Sequence, residues 1–90
     1  MNVSYDPAKR RKTLDERGLD FADAPKLFED IHYTTRDNRT DYAEPRFQTV
    51  GLLDRRMVML VWTPTETGIR VISLRKCNER ERKKYKDRMG

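Results

Sequence analysis

The chain has 90 residues, a single cysteine and a net charge of +5, with 39% charged residues against 36% hydrophobic ones. That length allows one domain, residues 1–90, with a modest core, and the lone Cys77 excludes an internal disulfide and a cysteine-based zinc site. The longest apolar run, Met57 to Trp62, is too short to span a bilayer, and MNVSYDPAKR lacks the apolar stretch of a secretory signal, so a soluble protein of the reducing cytoplasm is expected.

Val3 to Tyr5 suggests a short strand. Asp6-Pro7 then reads as a helix start, with Asp at the cap and Pro at the first helical position, and Gly18 as its end. Only Ala8 and Leu14 give this helix an apolar side, so it is expected on the surface. Asp20 opens a second helix, in which Phe21, Ala24, Leu27 and Phe28 recur at helical spacing and form a core face. Pro25 removes one backbone hydrogen bond there and is expected to shift or shorten the first turn.

Ile31 to Thr35 is rich in β-forming residues and reads as a strand, followed by a polar loop from Arg36 to Asp41 that is the expected mobile segment. Arg46 to Leu53, Arg56 to Thr63 and Ile69 to Arg75 read as a meander joined by Asp54-Arg55 and by Pro64 to Gly68. The middle run is apolar on both faces, which marks a central strand. The apolar content of this region also argues against disorder, which the high charge would otherwise suggest. Asn78 caps a final helix, with Glu81 completing a capping box. The order β-α-α-β-β-β-β-α predicts an α+β fold: an antiparallel meander with two N-terminal helices and one C-terminal helix.

Charge is placed unevenly. Residues 75–90 carry eight basic and three acidic side chains, which accounts for the whole net charge. Such a patch attracts polyanions, nucleic acid above all, although a solvated basic helix face has the same composition. Arg80, Lys84 and Arg88 share a ridge of the final helix, and Lys76 adds to the patch. Period-two alternation puts Ile69, Val71, Ser73 and Arg75 on one face of the last strand and Arg70, Ile72 and Leu74 on the other. Arg75 then lies at the rim next to the basic helix, where its guanidinium either clamps a phosphate through two hydrogen bonds or pairs with Glu44 or Glu81. Arg46, at a neighbouring strand end, approaches the same groove.

Cys77, Glu81, Tyr85 and Met89 recur every four residues on the final helix. Three of them suit packing on the sheet. Glu81 suits it only if its carboxylate meets an arginine, so it is either the capping partner of Asn78 or a positioned acid or base. Tyr85 is either core or a base-stacking and proton-donating group. His32 is the only histidine, which rules out a histidine acid–base pair, and together with Trp62 it reads as structural. No metal-ligand, P-loop or dinucleotide motif is present, so no metal or cofactor is expected.

The motifs taken together resemble the BrnT toxin family. They run Tyr5-Asp-Pro-Ala-Lys9, Arg17-Gly-Leu-Asp-Phe-Ala-Asp-Ala24, Glu44-Pro-Arg-Phe47 with Gly51, Ile72-Ser-Leu-Arg-Lys76, and Glu79-Arg-Glu-Arg82 with Tyr85. Members show W-D-P-x-K, K-H-G-V-S-F-E-E-A, E-x-R-F-x-x-I-G, I-I-S-A-R-K-A and E-R-x-x-Y. Arg17 stands where the family usually has histidine, and Tyr5 where tryptophan is common. The resemblance implies a RelE-like fold and a toxin that cleaves RNA without a metal. It also implies neutralisation by a BrnA-like ribbon-helix-helix antitoxin, the complex binding operator DNA and repressing its own operon. By position it makes Lys9, Arg46, Arg75 and Arg82 the phosphate-binding candidates. Tyr85 or Glu81 would transfer protons, and Lys76, Arg80, Lys84 and Arg88 would contact RNA further out. A non-catalytic nucleic-acid-binding module and a subunit that binds only an acidic protein are the alternatives.

Overall fold

The apolar run at the middle of the chain becomes the middle strand of a five-stranded sheet in the computed structural model, which describes residues 1–89. In chain order the elements are β1 (Asn2–Ser4), α1 (Pro7–Arg17), a 3₁₀ turn (Phe21–Asp23), α2 (Pro25–Glu29), β2 (His32–Arg36), β3 (Phe47–Leu53), β4 (Arg56–Pro64), β5 (Gly68–Lys76), α3 (Glu79–Lys86) and a second 3₁₀ turn (Asp87–Met89). Among the described residues no helix is long and apolar enough to cross a membrane.

Strands β2 to β5 form the expected antiparallel meander, but the sheet is mixed rather than purely antiparallel. Its order is β1-β5-β4-β3-β2, and β1 pairs parallel with β5 through Asn2 with Gly68 and Val3 with Ile69. Three residues carry no local sign of a distant partner, so this pairing is decided by tertiary packing of Val3. Gly68 permits it, because a Cβ there would lie 1.9 Å from the Asn2 carbonyl oxygen.

Helix α1 starts and stops as its sequence dictates. The Asp6 carboxylate accepts from the Ala8 N–H at 2.9 Å, Pro7 opens the helix, and Gly18 ends it at φ +68°. None of its residues is buried. It is held instead by Arg10, which grips Asp20 through two hydrogen bonds, and by Arg17, which donates to the Leu74 carbonyl at 3.0 Å. The predicted second helix is broken in two. Asp20 caps only the Phe21–Asp23 turn, and Pro25, which has no N–H to continue the ladder, begins the five-residue α2 afresh. The core face survives this break, with Phe21, Ala24 and Leu27 all buried.

The two faces of the sheet are packed differently. On one side Leu19, Phe21, Ala24 and Leu27 meet Val58, Leu60, Ile69, Val71 and Leu74, with Trp62 at the margin. Burying each large side chain here contributes about 1.5–3 kcal/mol. On the other side α3 lays Cys77, Tyr85 and Met89 over Val50 and Met59. The Asn78 cap and the Glu81 return bond both form, at 2.8 and 2.9 Å, as the capping box predicts.

Strand β5 corrects the predicted alternation. Val61 pairs with Ser73 but Trp62 pairs with Val71, so Ile72 is an extra residue at a β-bulge. Ile69 and Val71 therefore face the larger core, while Ser73 and Arg75 face α3. A single inserted residue flips everything beyond it, and nothing in the local sequence marks it.

Candidate functional site

The bulge at Ile72 delivers Arg75 to the side of the sheet that α3 covers. Arg75 pairs across the ladder with Met59, one of the residues under α3. Its Nη1 and Nη2 donate to the two carboxylate oxygens of Glu81, each at 2.7 Å. Of the alternatives in the sequence, the ion pair with Glu81 is the one that forms. Glu81 is thus held twice, by the Asn78 backbone and by Arg75, and the cap that starts α3 also aims the guanidinium. The Arg75 hydrogen bonds keep the Glu81 carboxyl down at about 2, and the same contact raises the Arg75 pKa against the effect of its burial. Only two of the five Arg75 N–H groups are used on Glu81, and the side chain remains 41% exposed.

A cleft of about 500 Å³ opens on this face. Its floor holds Tyr33, Thr35 and Gln48 from β2 and β3, together with Tyr85 from α3. Cations rim it: Lys84 on α3 and Arg88 in the turn after it, and Arg36 at the end of β2 and Arg39 in the segment that follows. Tyr33 and Tyr85 lie 5.8 Å apart between ring centres, with the Arg88 guanidinium 4.8 Å from the Tyr33 ring and the Lys84 ammonium 5.2 Å from the Tyr85 ring. Arg88 also donates to the Tyr33 hydroxyl. Aromatic faces among guanidinium and ammonium groups suit a nucleic-acid strand, whose bases stack and whose phosphates pair.

Arg46 sits just before β3, its carbonyl accepting from the Asp37 N–H at 2.8 Å. It lines a hollow of about 80 Å³ under residues 37–45, whose walls of Arg36, Asp37 and Asn38 it shares with the cleft. Its guanidinium stacks 4.1 Å from the Tyr42 ring, and among the described residues its buried Nε has no hydrogen-bond partner.

The structure brings Tyr85, Lys84 and Arg88 together in the cleft, whereas Arg75, held by Glu81, lies on the same face of the sheet outside the cleft walls and Arg46 lines the adjoining hollow. Other candidates stand apart from the cleft. Lys9 is exposed on the first turn of α1, beside the Phe21 turn on the far side of the sheet. Arg82 donates to the Cys77 carbonyl at 2.8 Å and faces a separate groove with Met57, Lys83 and Lys86. Arg80 lies with Asn78 and Lys83 in another, and Lys76 lies with Arg75, Arg17 and Glu16. Tyr33, Thr35, Gln48 and Arg39 escaped the sequence reading. Alternation along β2 places Tyr33 and Thr35 on one face, which was the available signal.

His32 and Trp62 are structural, as their sequence context suggests. His32 Nδ1 lies 2.7 Å from the Asp30 carbonyl and its ring packs on Phe28, on the face away from the cleft. Trp62 stacks on Phe47 and donates to the Thr49 hydroxyl at 2.8 Å. Burial pushes the Cys77 thiol up to about 11, which leaves it protonated and unreactive. Among the described residues no three His, Cys, Asp or Glu side chains converge as a metal donor set.

The family model described as the ribonuclease toxin, BrnT, of type II toxin–antitoxin systems matches residues 5–81. The chain belongs to the BrnT family. No individually curated protein matches the chain. The BrnT match takes in Lys9, Arg46, Arg75 and Glu81, and it stops within α3, before Arg82, Lys84, Tyr85 and Arg88.

Proposed function

We propose that this BrnT toxin is a metal-independent endoribonuclease that arrests growth until a BrnA-like ribbon-helix-helix antitoxin covers it, the complex also binding operator DNA. The observation that carries the reading is the cleft itself: three arginines, a lysine and two tyrosines gathered on one face of the sheet, the same face on which Glu81 fixes Arg75.

The chemistry follows from those groups. The 2′-hydroxyl of RNA attacks the adjacent phosphorus and passes its proton to solvent water as the bond to the 5′-oxygen breaks, and the 5′-oxygen takes a proton from a donor that solvent then reprotonates. The products are a 2′,3′-cyclic phosphate and a 5′-hydroxyl. Arg75 presents its unused N–H edge to the phosphoryl oxygens as charge develops, while Lys84 and Arg88 in the cleft hold the rest of the strand. Fixed cations of this kind supply several kcal/mol of barrier lowering. Glu81 is ionised through the neutral range and cannot act as the acid, so it positions Arg75. The Tyr85 hydroxyl is then the group to protonate the departing 5′-oxygen.

The test is incubation of purified, antitoxin-free protein with end-labelled RNA in excess EDTA. Fragments ending in cyclic phosphate are expected. RNA that stays intact yet bound would replace this reading with that of a non-catalytic binding module.

A further inference from the structure

Asp37 is the one buried acid among the described residues, its side chain 1% exposed. A carboxylate so placed costs several kcal/mol unless it is well paired. It accepts from Arg39 Nε and Nη2 at 2.9 and 2.8 Å and from the Arg39 backbone N–H at 3.2 Å, and Tyr42 donates to it at 3.4 Å. Arg39 holds the Asp37 carboxyl down at about 2. The arginine is otherwise open, at 65% exposure, in a segment outside any helix or strand. An exposed arginine ordinarily samples many rotamers, and this one is locked from beneath.

Neutralising Asp37 uses one edge of the guanidinium. Three of the five N–H groups remain, including a fork that matches two oxygens of a phosphate. Arg39 shares the cleft rim with Lys84 and Arg88. Like charges gathered at one opening repel each other until an anion sits among them.

We infer that Arg39 forms a second phosphate subsite of the cleft, which takes the phosphodiester next to the scissile one, and that Asp37 is the positioning residue that holds it there. The inference rests on the ribonuclease reading of the same cleft. RNA, rather than free phosphate, is the ligand because Tyr33 and Tyr85 lie among the rim cations, an aromatic and cationic lining that suits bases as well as phosphates.

The experiment measures kcat and KM on a short single-stranded RNA over a range of salt, for wild type, Arg39→Ala, Arg39→Lys and Asp37→Asn, with a thermal melt of each. Arg39→Ala should raise KM about tenfold with kcat little changed. It should also flatten the dependence of log(kcat/KM) on log salt by about 0.7, the share of one phosphate contact on a single strand. Arg39→Lys should restore the slope and part of the KM. Asp37→Asn keeps the cation but frees it, so KM should rise while the slope stays near wild type. If Arg39→Ala unfolds, Arg39→Gln retains a donor for Asp37 without the charge and takes its place. A lowered melting point with KM and slope at wild-type values would reduce Arg39 to a counter-ion and overturn the inference. Should wild type bind RNA without cutting it, the ribonuclease reading fails by itself, and the same slope read from Kd still decides Arg39.

Discussion

The two faces of the sheet share their strands and little else. Beneath α2 the face is almost entirely aliphatic and aromatic, closed by Phe21 and Leu27. Beneath α3 a small patch of Val50, Met59, Cys77, Tyr85 and Met89 gives way to a cationic opening rimmed by Lys84, Arg88 and Arg39. Strand β4 serves both sides, which is why its residues are buried in an unbroken run from Val58 to Val61. Strand β5 is divided between them by the bulge at Ile72, with Val71 on the aliphatic side and Arg75 on the other. The difference teaches that one side supplies the stability of a 90-residue chain, leaving the other free to gather like charges at a cost.

If that division is correct, substitutions should separate by face. Leu27 is fully buried over the aliphatic side, and Leu27→Ala should destabilise the fold by about 3–5 kcal/mol. Activity per folded molecule should stay near wild type. Urea unfolding monitored alongside RNA cleavage checks both, and a small stability loss would mean that this side is not the main core. Arg75→Ala should do the reverse. It should cut RNA cleavage by about 100-fold, the loss typical of removing one donor to developing charge, with only a modest fall in melting point. A variant that cleaves normally would take Arg75 out of the site.

Glu81 joins the two roles, since it caps α3 and aims Arg75. Glu81→Gln preserves the cap, for which glutamine is an adequate partner, but removes the ion pair. The expected cost is about 1 kcal/mol once solvent around the half-exposed Arg75 is allowed for. It also has a pH signature. The Glu81 carboxyl is lowered in the folded state from 4.5 to about 2, so the unfolded chain binds its proton first. The stability it contributes is complete above pH 4.5 and disappears as pH falls toward 2. Asp20 and Asp37 are lowered to about 2 by Arg10 and Arg39 and act in the same direction. Wild type should therefore lose stability steeply on acidification across that range, and Glu81→Gln should lose it less steeply. Equal slopes would show that the ion pair carries no weight in the fold.

Local rules were legible in the sequence. The Asp6-Pro7 start, the Gly18 end, the Asn78 capping box and the two-sided strand at Met57 to Trp62 each depend on neighbours in the chain. The parallel partner of β1 and the bulge at Ile72 do not, because both are settled by packing across the sheet. The site divided along the same line. Lys84, Arg88 and Tyr85 were singled out by helix spacing and the concentration of charge, and Arg75 by its place at the end of the last strand beside the basic helix. Arg39 was hidden, since its segment read as a mobile polar loop and the burial of Asp37 exists only in three dimensions. Lys9 came in by its position in the motif order alone, and the fold sets it away from the cleft.

The smallest expected effect lies at a turn that belongs to neither face. Asp54-Arg55 joins β3 to β4 in two residues, the shortest hairpin link, and both adopt the left-handed backbone at φ +50° and +68°. Such a link matches the twist of the flanking strands but strains a residue with a Cβ by about 1–2 kcal/mol. Asp tolerates that region through its short polar side chain, whereas Arg has no such relief. Arg55→Gly removes the strain but gives the unfolded chain more freedom, so the net gain should be about 0.5–1 kcal/mol. Arg55 is absent from the walls of the cleft. Its replacement should therefore raise the melting point and leave RNA cleavage unchanged. A drop in cleavage at unaltered stability would mean that the hairpin tip reaches the substrate, and that the functional surface extends beyond the cationic opening to the end of the sheet.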